Sequence, residues 1–222
     1  MGRFLAPVPP DRRPRRATQL LVGEVLYGVT ASMLVLARLG LDPWDVFHQG
    51  LSRTFGLAIG TWVVIVGFLA VVAWWRLPQR PGVGTLANAL LVGLVMDVML
   101  ALVHPPHALA ARVGLLIGGV IGNGLATGLY IGAGLGPGPR DGLTTGIAAR
   151  GHSIRVVRTC IEATVLVIGW LLGGTVGIGT VLYAVSIGPI MHKAVPAFSI
   201  GRSYFVQVGP PGGLATSELP ES

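Results

Sequence analysis

Among the charged residues that lie inside or directly beside strongly apolar stretches of the chain, six are candidates for a function. They are Asp45, Asp97, Arg140, Asp141, Arg158 and Glu162. Ionisable side chains inside membrane segments are costly, and they usually pair with one another or mark the path of an ion, a proton or a polar solute. The carboxylates and guanidinium groups at these positions are therefore the candidate residues for transport or another polar function.

The other reactive residue types do not form the patterns that enzymes or metal sites require. Cys160 is the single cysteine, which excludes a disulfide framework and a cysteine-based metal site. The five histidines are dispersed, and no serine–histidine–aspartate order appears in the apolar segments. The glycine-rich stretch 134–142 lacks the lysine of a phosphate-binding P-loop. We expect no enzyme activity, no metal site and no cofactor.

The composition indicates what surrounds these residues. Hydrophobic residues make up 52% of the 222 positions and charged residues 11%, with a mean hydropathy of +0.71. A typical soluble domain carries about 25% charged residues. A soluble fold of this size could not bury so much apolar surface, so we predict an all-α, polytopic membrane protein.

Six apolar segments are long enough to cross about 30 Å of hydrocarbon as helices. They cover residues 18–39, 57–76, 84–103, 112–133, 155–173 and 178–195. With the N-terminus in the cytoplasm, only Arg38, Arg53 and Arg112 of the 16 lysines and arginines fall outside. This bias predicts that both termini are cytoplasmic. The net charge of +7 then indicates contact with anionic lipid headgroups rather than nucleic acid.

The chain also contains an internal repeat. The stretch 39–45 aligns with 135–141 at an offset of 96 residues, and Gly82–Thr85 aligns with Gly177–Thr180 at an offset of 95. Each half holds three predicted spans, and an odd number makes the second half enter the membrane from the opposite side. The sequence therefore predicts two inverted three-helix repeats, an arrangement found in many transporters.

These boundaries divide the chain into five parts. We predict a disordered basic cytoplasmic tail at 1–17, repeat 1 at 18–103 and an outer linker at 104–111. Repeat 2 follows at 112–195, and a largely disordered cytoplasmic tail occupies 196–222.

Each repeat is predicted to contain one further short helix. Asp42 and Pro43 precede Trp44 and Asp45 in the order typical of a helix start, where a side-chain cap and a first-turn proline are favoured. Residues 138–141 repeat the scheme with a glycine cap. Two interpretations stay open, namely a helix lying in the membrane interface and a re-entrant half-helix.

Arg158 and Glu162 are four residues apart, which permits an ion pair on one helix face. The repeat partners of these two positions are Trp62 and Val66, so the shared fold does not require the charges. The pair is either part of a functional cluster near the 139–141 segment or an interfacial anchor.

Several short motifs together point to a known family. They are Gly40–Val46, Gly60–Trp62, Gly82–Thr85, Gly138–Leu143, Arg158–Glu162 and Gly173–Thr180. In combination they resemble the YczE/YitT-like family of bacterial integral membrane proteins, over about residues 20–195. The resemblance implies a bacterial cytoplasmic-membrane protein and supplies no catalytic residue.

The expected function is transport of a small molecule or ion of unidentified class. The alternative is a membrane scaffold or regulatory protein that transports nothing. The expected partners are membrane lipids and that solute, without nucleic acid, and a homo-oligomer stays open.

Overall fold

The computed structural model describes residues 5–6, 8–77 and 80–201. Within these residues the chain forms eight α-helices, one 3₁₀ turn at Trp74–Arg76 and no strand. The helices are α1 (Arg13–Ala37), α2 (Pro43–Phe55), α3 (Ile59–Ala73), α4 (Val83–Leu102), α5 (Leu109–Gly132), α6 (Pro139–Ala148), α7 (Ile154–Leu171) and α8 (Ile178–Phe198). The predicted tails lie partly outside the described residues, at 1–4 and 202–222.

Four of these helices, α1, α4, α5 and α8, are long and apolar enough to cross a membrane. A fifth span is counted if α2 and α3 are taken together, although the two helices meet at 113°. The other predicted spans differ for physical reasons. α3 has only 15 residues, and α7 carries three charged residues, Arg155, Arg158 and Glu162. The described residues therefore contain four to five candidate spans by length and composition, and the predicted count of six is not confirmed.

α1 begins five residues before the predicted first span. Arg16 is buried, and its guanidinium donates to the carbonyl oxygens of Ala133 at 2.8 Å and Ile200 at 2.7 Å. These bonds tie the first turns of α1 to the ends of α5 and α8. The guanidinium also hydrogen-bonds the Asp11 carboxylate, which lowers the pKa of Asp11.

The four long helices pack side by side in the order α4, α1, α5, α8. Glycines on α5 allow this close approach toward both of its neighbours. A Cβ on Gly119 would lie 2.8 Å from a methyl carbon of Leu34 on α1, and one on Gly128 would lie 2.6 Å from Cβ of Ala194 on α8. These glycines form the small-residue packing surfaces that membrane helices use.

The shorter helices cover this row. α2 packs against α7, where a Cβ on Gly169 would lie 2.5 Å from the backbone nitrogen of Phe47. α6 packs against α3 and the 3₁₀ turn. There the indole nitrogen of Trp74 donates to the carbonyl of Pro139 at 3.1 Å. Each short helix of one half is thereby held by the other half.

Two reciprocal contacts, which we term the clasps, join the loops of one half to the helix starts of the other. The backbone nitrogen of Gly179 donates to the carbonyl of Leu39 at 2.8 Å, and that of Gly84 donates to the carbonyl of Leu135 at 2.9 Å. Each leucine precedes a glycine, at φ 112° and 130°, in the region that favours glycine. The participants in the two clasps are equivalent positions of the sequence repeat.

Candidate functional site

The N-termini of α2 and α6 line one cavity. α2 begins at Pro43, and Oδ1 of Asp42 accepts hydrogen bonds from the backbone nitrogens of Trp44 at 3.0 Å and Asp45 at 3.2 Å. α6 begins at Pro139 after a glycine cap. Because free N–H groups give a helix N-terminus a partial positive charge, two such ends and the carboxylates beside them create a strongly polar centre.

Arg140 joins the two helix starts. One guanidinium nitrogen lies 3.6 Å from Oδ1 of Asp42, and the other donates to the Tyr27 hydroxyl at 2.8 Å. The guanidinium also lies over the rings of Tyr27 and Trp44, at 5.5 and 5.6 Å from their centroids. A cation between aromatic faces and a carboxylate is stabilised without water.

The next residue of α6 is held by α5. The hydroxyl of Tyr130 donates to Oδ2 of Asp141 at 2.6 Å, and its ring meets that of Tyr27 edge to face at 6.0 Å. Two tyrosines from the central helices thus position the charged start of α6.

Arg158 and Glu162 form the rim of the same cavity. The Arg158 Nε–Glu162 Oε1 distance is 2.8 Å, and the side chains are 43% and 35% exposed. Tyr183 and Met191 of α8 line the cavity beside them. The predicted ion pair is therefore present, and it lies at the edge of the polar centre rather than inside it.

The cavity has a volume of about 50 Å³. A buried water needs roughly 10–15 Å³ measured in this way, so there is room for a few waters but not for a metabolite. Any larger solute would require the surrounding helices to move apart.

Comparisons with known proteins identify the family of this chain. A family model described as "Family of unknown function (DUF6198)" matches residues 14–195. The chain belongs to this family. An uncharacterized protein of Haemophilus influenzae is 39% identical over 174 residues, which cover 78% of this chain and 80% of the relative.

Two further relatives of the DUF6198 chain come from Bacillus subtilis. The uncharacterized membrane protein YczE is 34% identical over 185 residues, covering 82% of this chain and 86% of YczE. The uncharacterized protein YyaS is 28% identical over 182 residues, covering 79% and 90%. No solved structure matches the chain. The predicted resemblance to a YczE-like family is confirmed, and this DUF6198 member is an integral membrane protein.

Four of the six residues singled out from the sequence line the one cavity, namely Arg140, Asp141, Arg158 and Glu162. Asp45 lies beside it in α2, buried, with Oδ1 3.1 Å from Nδ1 of His48. Asp97 lies elsewhere. Its two oxygens accept hydrogen bonds from the backbone nitrogen of Gly60 at 2.7 Å and from the Thr61 hydroxyl at 2.8 Å, which fastens α3 to α4.

Glu24 is a buried carboxylate of the DUF6198 chain that the six candidates omit. It is 0% exposed, and Oε2 accepts a hydrogen bond from the amide of Asn88 at 2.7 Å. Within the described residues, Oε1 has no hydrogen-bond partner. A lone acidic residue in an apolar span is a signal visible in the sequence. Its hydrogen-bond partner on α4, Asn88, is not visible in the sequence.

The polar tyrosines were also missed. Tyr183 donates to Oδ1 of Asn123 at 2.9 Å, close to the cavity, while Tyr27 and Tyr130 contact the charges directly. Tyrosine is common at membrane interfaces, so a sequence pattern alone does not distinguish these buried hydroxyls. No group of three or more metal-binding side chains occurs among the residues that the structure describes.

Proposed function

We propose that this protein is a secondary transporter of the bacterial cytoplasmic membrane, which moves a small polar or charged solute or an ion past the cavity between α2 and α6. The observation that carries the proposal is the 3.6 Å contact between Arg140 and Asp42, at the N-termini of two short helices from different halves. Transporters commonly bind solutes at the ends of such discontinuous helices.

The charge pattern supports this assignment. Asp42, Asp45 and Asp141 each lie in the first turn or cap of a short helix, where the helix dipole stabilises a carboxylate. Arg140 has carboxylate and aromatic partners, and Arg158 pairs with Glu162. Buried charges are costly to keep. A function that requires polar groups at this depth accounts for their concentration around one cavity.

The inverted repeat is part of the proposal. Asp42 follows α1 and Arg140 follows α5, and the positive-inside pattern assigns these two connections to opposite sides. They can meet only if both segments turn back into the membrane, so α2 and α6 act as re-entrant half-helices. The equivalent clasps support the same two-fold relation. The six-span count then consists of the four long helices plus α2–α3 and α6–α7, with both termini cytoplasmic.

Cysteine labelling tests this topology. In a Cys160→Ala background, Ala58→Cys and His152→Cys each place a single cysteine in an exposed connection, one per half. We expect a membrane-impermeant maleimide to reach Ala58→Cys from outside intact cells and His152→Cys only after the membrane is opened. Labelling of both from one side contradicts the inverted arrangement.

Transport itself is tested in proteoliposomes on a solid-supported membrane. Concentration jumps of ammonium, alkali cations, amino acids and small carboxylates are compared for the wild type and Arg140→Gln. We expect at least one probe to give a current that falls by about tenfold or more in Arg140→Gln, because Asp42 is left buried without its partner. Arg155→Gln, on the exposed face of α7, is the matched control and should retain the current. Equal currents in both variants contradict the proposal.

The small cavity favours a second candidate, a membrane scaffold or regulator that transports nothing. Met191→Cys, in the Cys160→Ala background, separates the two functions because Met191 lines the cavity. A transporter that opens to water exposes this cysteine to hydrophilic maleimide, whereas a scaffold with a sealed interior leaves it unlabelled.

A further inference from the structure

Glu24 lies deep in α1 and is not used by the contacts that hold the cavity together. It is eight residues beyond the buried Arg16, about 12 Å along the helix. Its side chain is 0% exposed, and the Asn88 amide is the partner of Oε2. In the described part of the chain, Oε1 is buried without a hydrogen bond. A buried carboxylate oxygen without a donor is costly to keep and requires a physical explanation.

The charged groups around Glu24 do not supply that atom. Arg140 and Asp141 on α6 both interact with it electrostatically, and Tyr130 on α5 faces it as well. The guanidinium of Arg140 is bound to Tyr27 and paired with Asp42, and the Tyr130 hydroxyl donates to Asp141. Arg140 and Tyr130 are thus both engaged with other residues.

The geometry favours a proton over a metal ion at this carboxylate. A metal ion needs several ligands around it, and no group of three His, Cys, Asp or Glu side chains is found in residues 5–6, 8–77 and 80–201. Asn88 turns its NH₂ group toward Oε2, so it offers a donor here and not a metal-binding oxygen. A proton requires only the one free oxygen that the site provides.

Asn88 also connects Glu24 to the cavity. It lines the same cavity as Arg140 and Asp141 while binding Glu24 with its amide. The few waters that fit there provide a route for a proton between the carboxylate and the aqueous phase when the site opens. Glu24 is thus placed beside the proposed solute path without blocking it.

We propose that Glu24 is the proton-binding site of this protein and that the coupling ion of transport is H⁺. The assignment of a coupling role rests on the proposed function, whereas proton binding at Glu24 does not. A hydronium ion in the cavity gives its proton to the carboxylate, which becomes a neutral acid, and water takes the proton back on release. The protonated Oε1 can then donate a hydrogen bond, which the carboxylate cannot do.

Labelling with dicyclohexylcarbodiimide tests proton binding directly, because this reagent modifies protonated carboxyl groups in apolar surroundings. The wild-type protein in lipid nanodiscs is treated at about pH 6 and about pH 9, both above the ordinary range of glutamate. Peptide mass spectrometry then locates the label. We expect modification of Glu24 at the lower pH and a several-fold loss at the higher pH.

Glu162 in the same molecule is the matched internal control. It is paired with Arg158 and partly exposed, so it should remain largely unmodified at both values. Label on Glu162 but not on Glu24, or equal label on Glu24 at both values, overturns the assignment. Infrared difference spectra between the two conditions give a second measurement on the wild type. The protonated carboxyl band should disappear in Glu24→Gln, and if that variant fails to fold, the wild-type labelling decides the question alone.

Flux measurements separate this inference from the proposed function. Proteoliposomes containing a trapped pH indicator should acidify when a transported probe enters with H⁺, and Glu24→Gln should abolish acidification. If Glu24 binds a proton but no probe produces a current, the transporter proposal fails and the proton site stands. If a probe produces current without any pH change, transport stands and H⁺ coupling at Glu24 is wrong.

Discussion

The two halves of the molecule treat equivalent helices differently. In the first half, α3 and α4 are in backbone contact, since a Cβ on Gly60 or Gly93 would collide with the carbonyl oxygen of the other glycine. In the second half, a Cβ on Gly188, the repeat partner of Gly93, would meet nothing within 4 Å among the described residues. The first half is closed at this position, and the second is open beside α8.

The charged residues also have different roles in the two halves. In the closed half, Asp97 binds Gly60 and Thr61 and fastens the two helices. In the open half, Arg158 and Glu162 stand on α7 where the closed half has Trp62 and Val66. The first half thus uses a carboxylate to hold two helices together, and the second half places an ion pair at the rim of the cavity. At these positions, the carboxylate of the first half serves helix packing, whereas the ion pair of the second half lines the cavity.

The largest expected effect is a difference in stability between two glycine substitutions. Gly93→Ala should lower the free energy of unfolding by about 3 kcal/mol, because a methyl group is forced against the Gly60 carbonyl. Gly188→Ala should be neutral or stabilise by up to about 1 kcal/mol, since alanine favours helix where there is space. Unfolding in detergent, followed by circular dichroism, measures both. Similar losses at the two positions would remove the distinction between a closed and an open half.

Loss of the Asp97 hydrogen bonds, which hold α3 to α4 in the first half, should lower the free energy of unfolding by slightly less. In Asp97→Asn, an NH₂ group replaces one of the two acceptor oxygens, so one of the two donors loses its acceptor. This should lower the free energy of unfolding by about 1–3 kcal/mol. Thr61→Val removes only the hydroxyl donor and should lower the free energy of unfolding by about 1 kcal/mol. The same unfolding assay applies. An unchanged midpoint in Asp97→Asn would show that backbone contact alone closes the first half.

A larger side chain at Gly188 tests whether the open space beside α8 matters for function. Gly188→Leu should keep the unfolding free energy within about 0.5 kcal/mol of the wild type, as for substitutions away from packed sites. We nevertheless expect a reduced current with any probe found to be transported, because the side chain fills the open space beside α8. Full activity in a stable Gly188→Leu protein would mean that the gap is not used when the cavity opens.

The smallest effect is expected for the rim pair. A double-mutant cycle of Arg158→Ala and Glu162→Ala should give a coupling of about 0.3–0.5 kcal/mol, because partly exposed ion pairs within one helix are weak. Thermal stability in detergent supplies the four values. A coupling above about 2 kcal/mol would show that the pair is shielded from solvent, and the second half would then be less open than its glycine suggests.

Local features of this fold can be predicted from the sequence because they depend on neighbouring residues. The apolar spans follow from hydropathy, and the starts of α2 and α6 follow from Asp42, Pro43 and Pro139, whose capping and φ preferences act within one turn. The Arg158–Glu162 pair is likewise a matter of helical spacing.

The arrangement of the site depends on contacts that no local pattern contains. Asp42 and Arg140 are distant in sequence, and only the packing of the two halves brings them together. The Glu24–Asn88 bond joins different helices in the same way. The early start of α1 has a similar cause. The apolar segment ends at the arginines before residue 18. The helix itself continues through these arginines, because Arg16 hydrogen-bonds the ends of two other helices.

The clasps have a consequence for biosynthesis. The start of α4 is bound by Leu135, which lies about 50 residues later in the chain, and the start of α8 is bound by Leu39, which is made long before it. At about 5–20 residues per second, the ribosome adds Leu135 several seconds after α4 begins to form. The start of α4 therefore lacks its hydrogen bond to Leu135 until the second half of the chain has been synthesised. We therefore expect that neither half folds stably alone, and that a gene split in the 104–111 linker yields stable protein only when both fragments are made together.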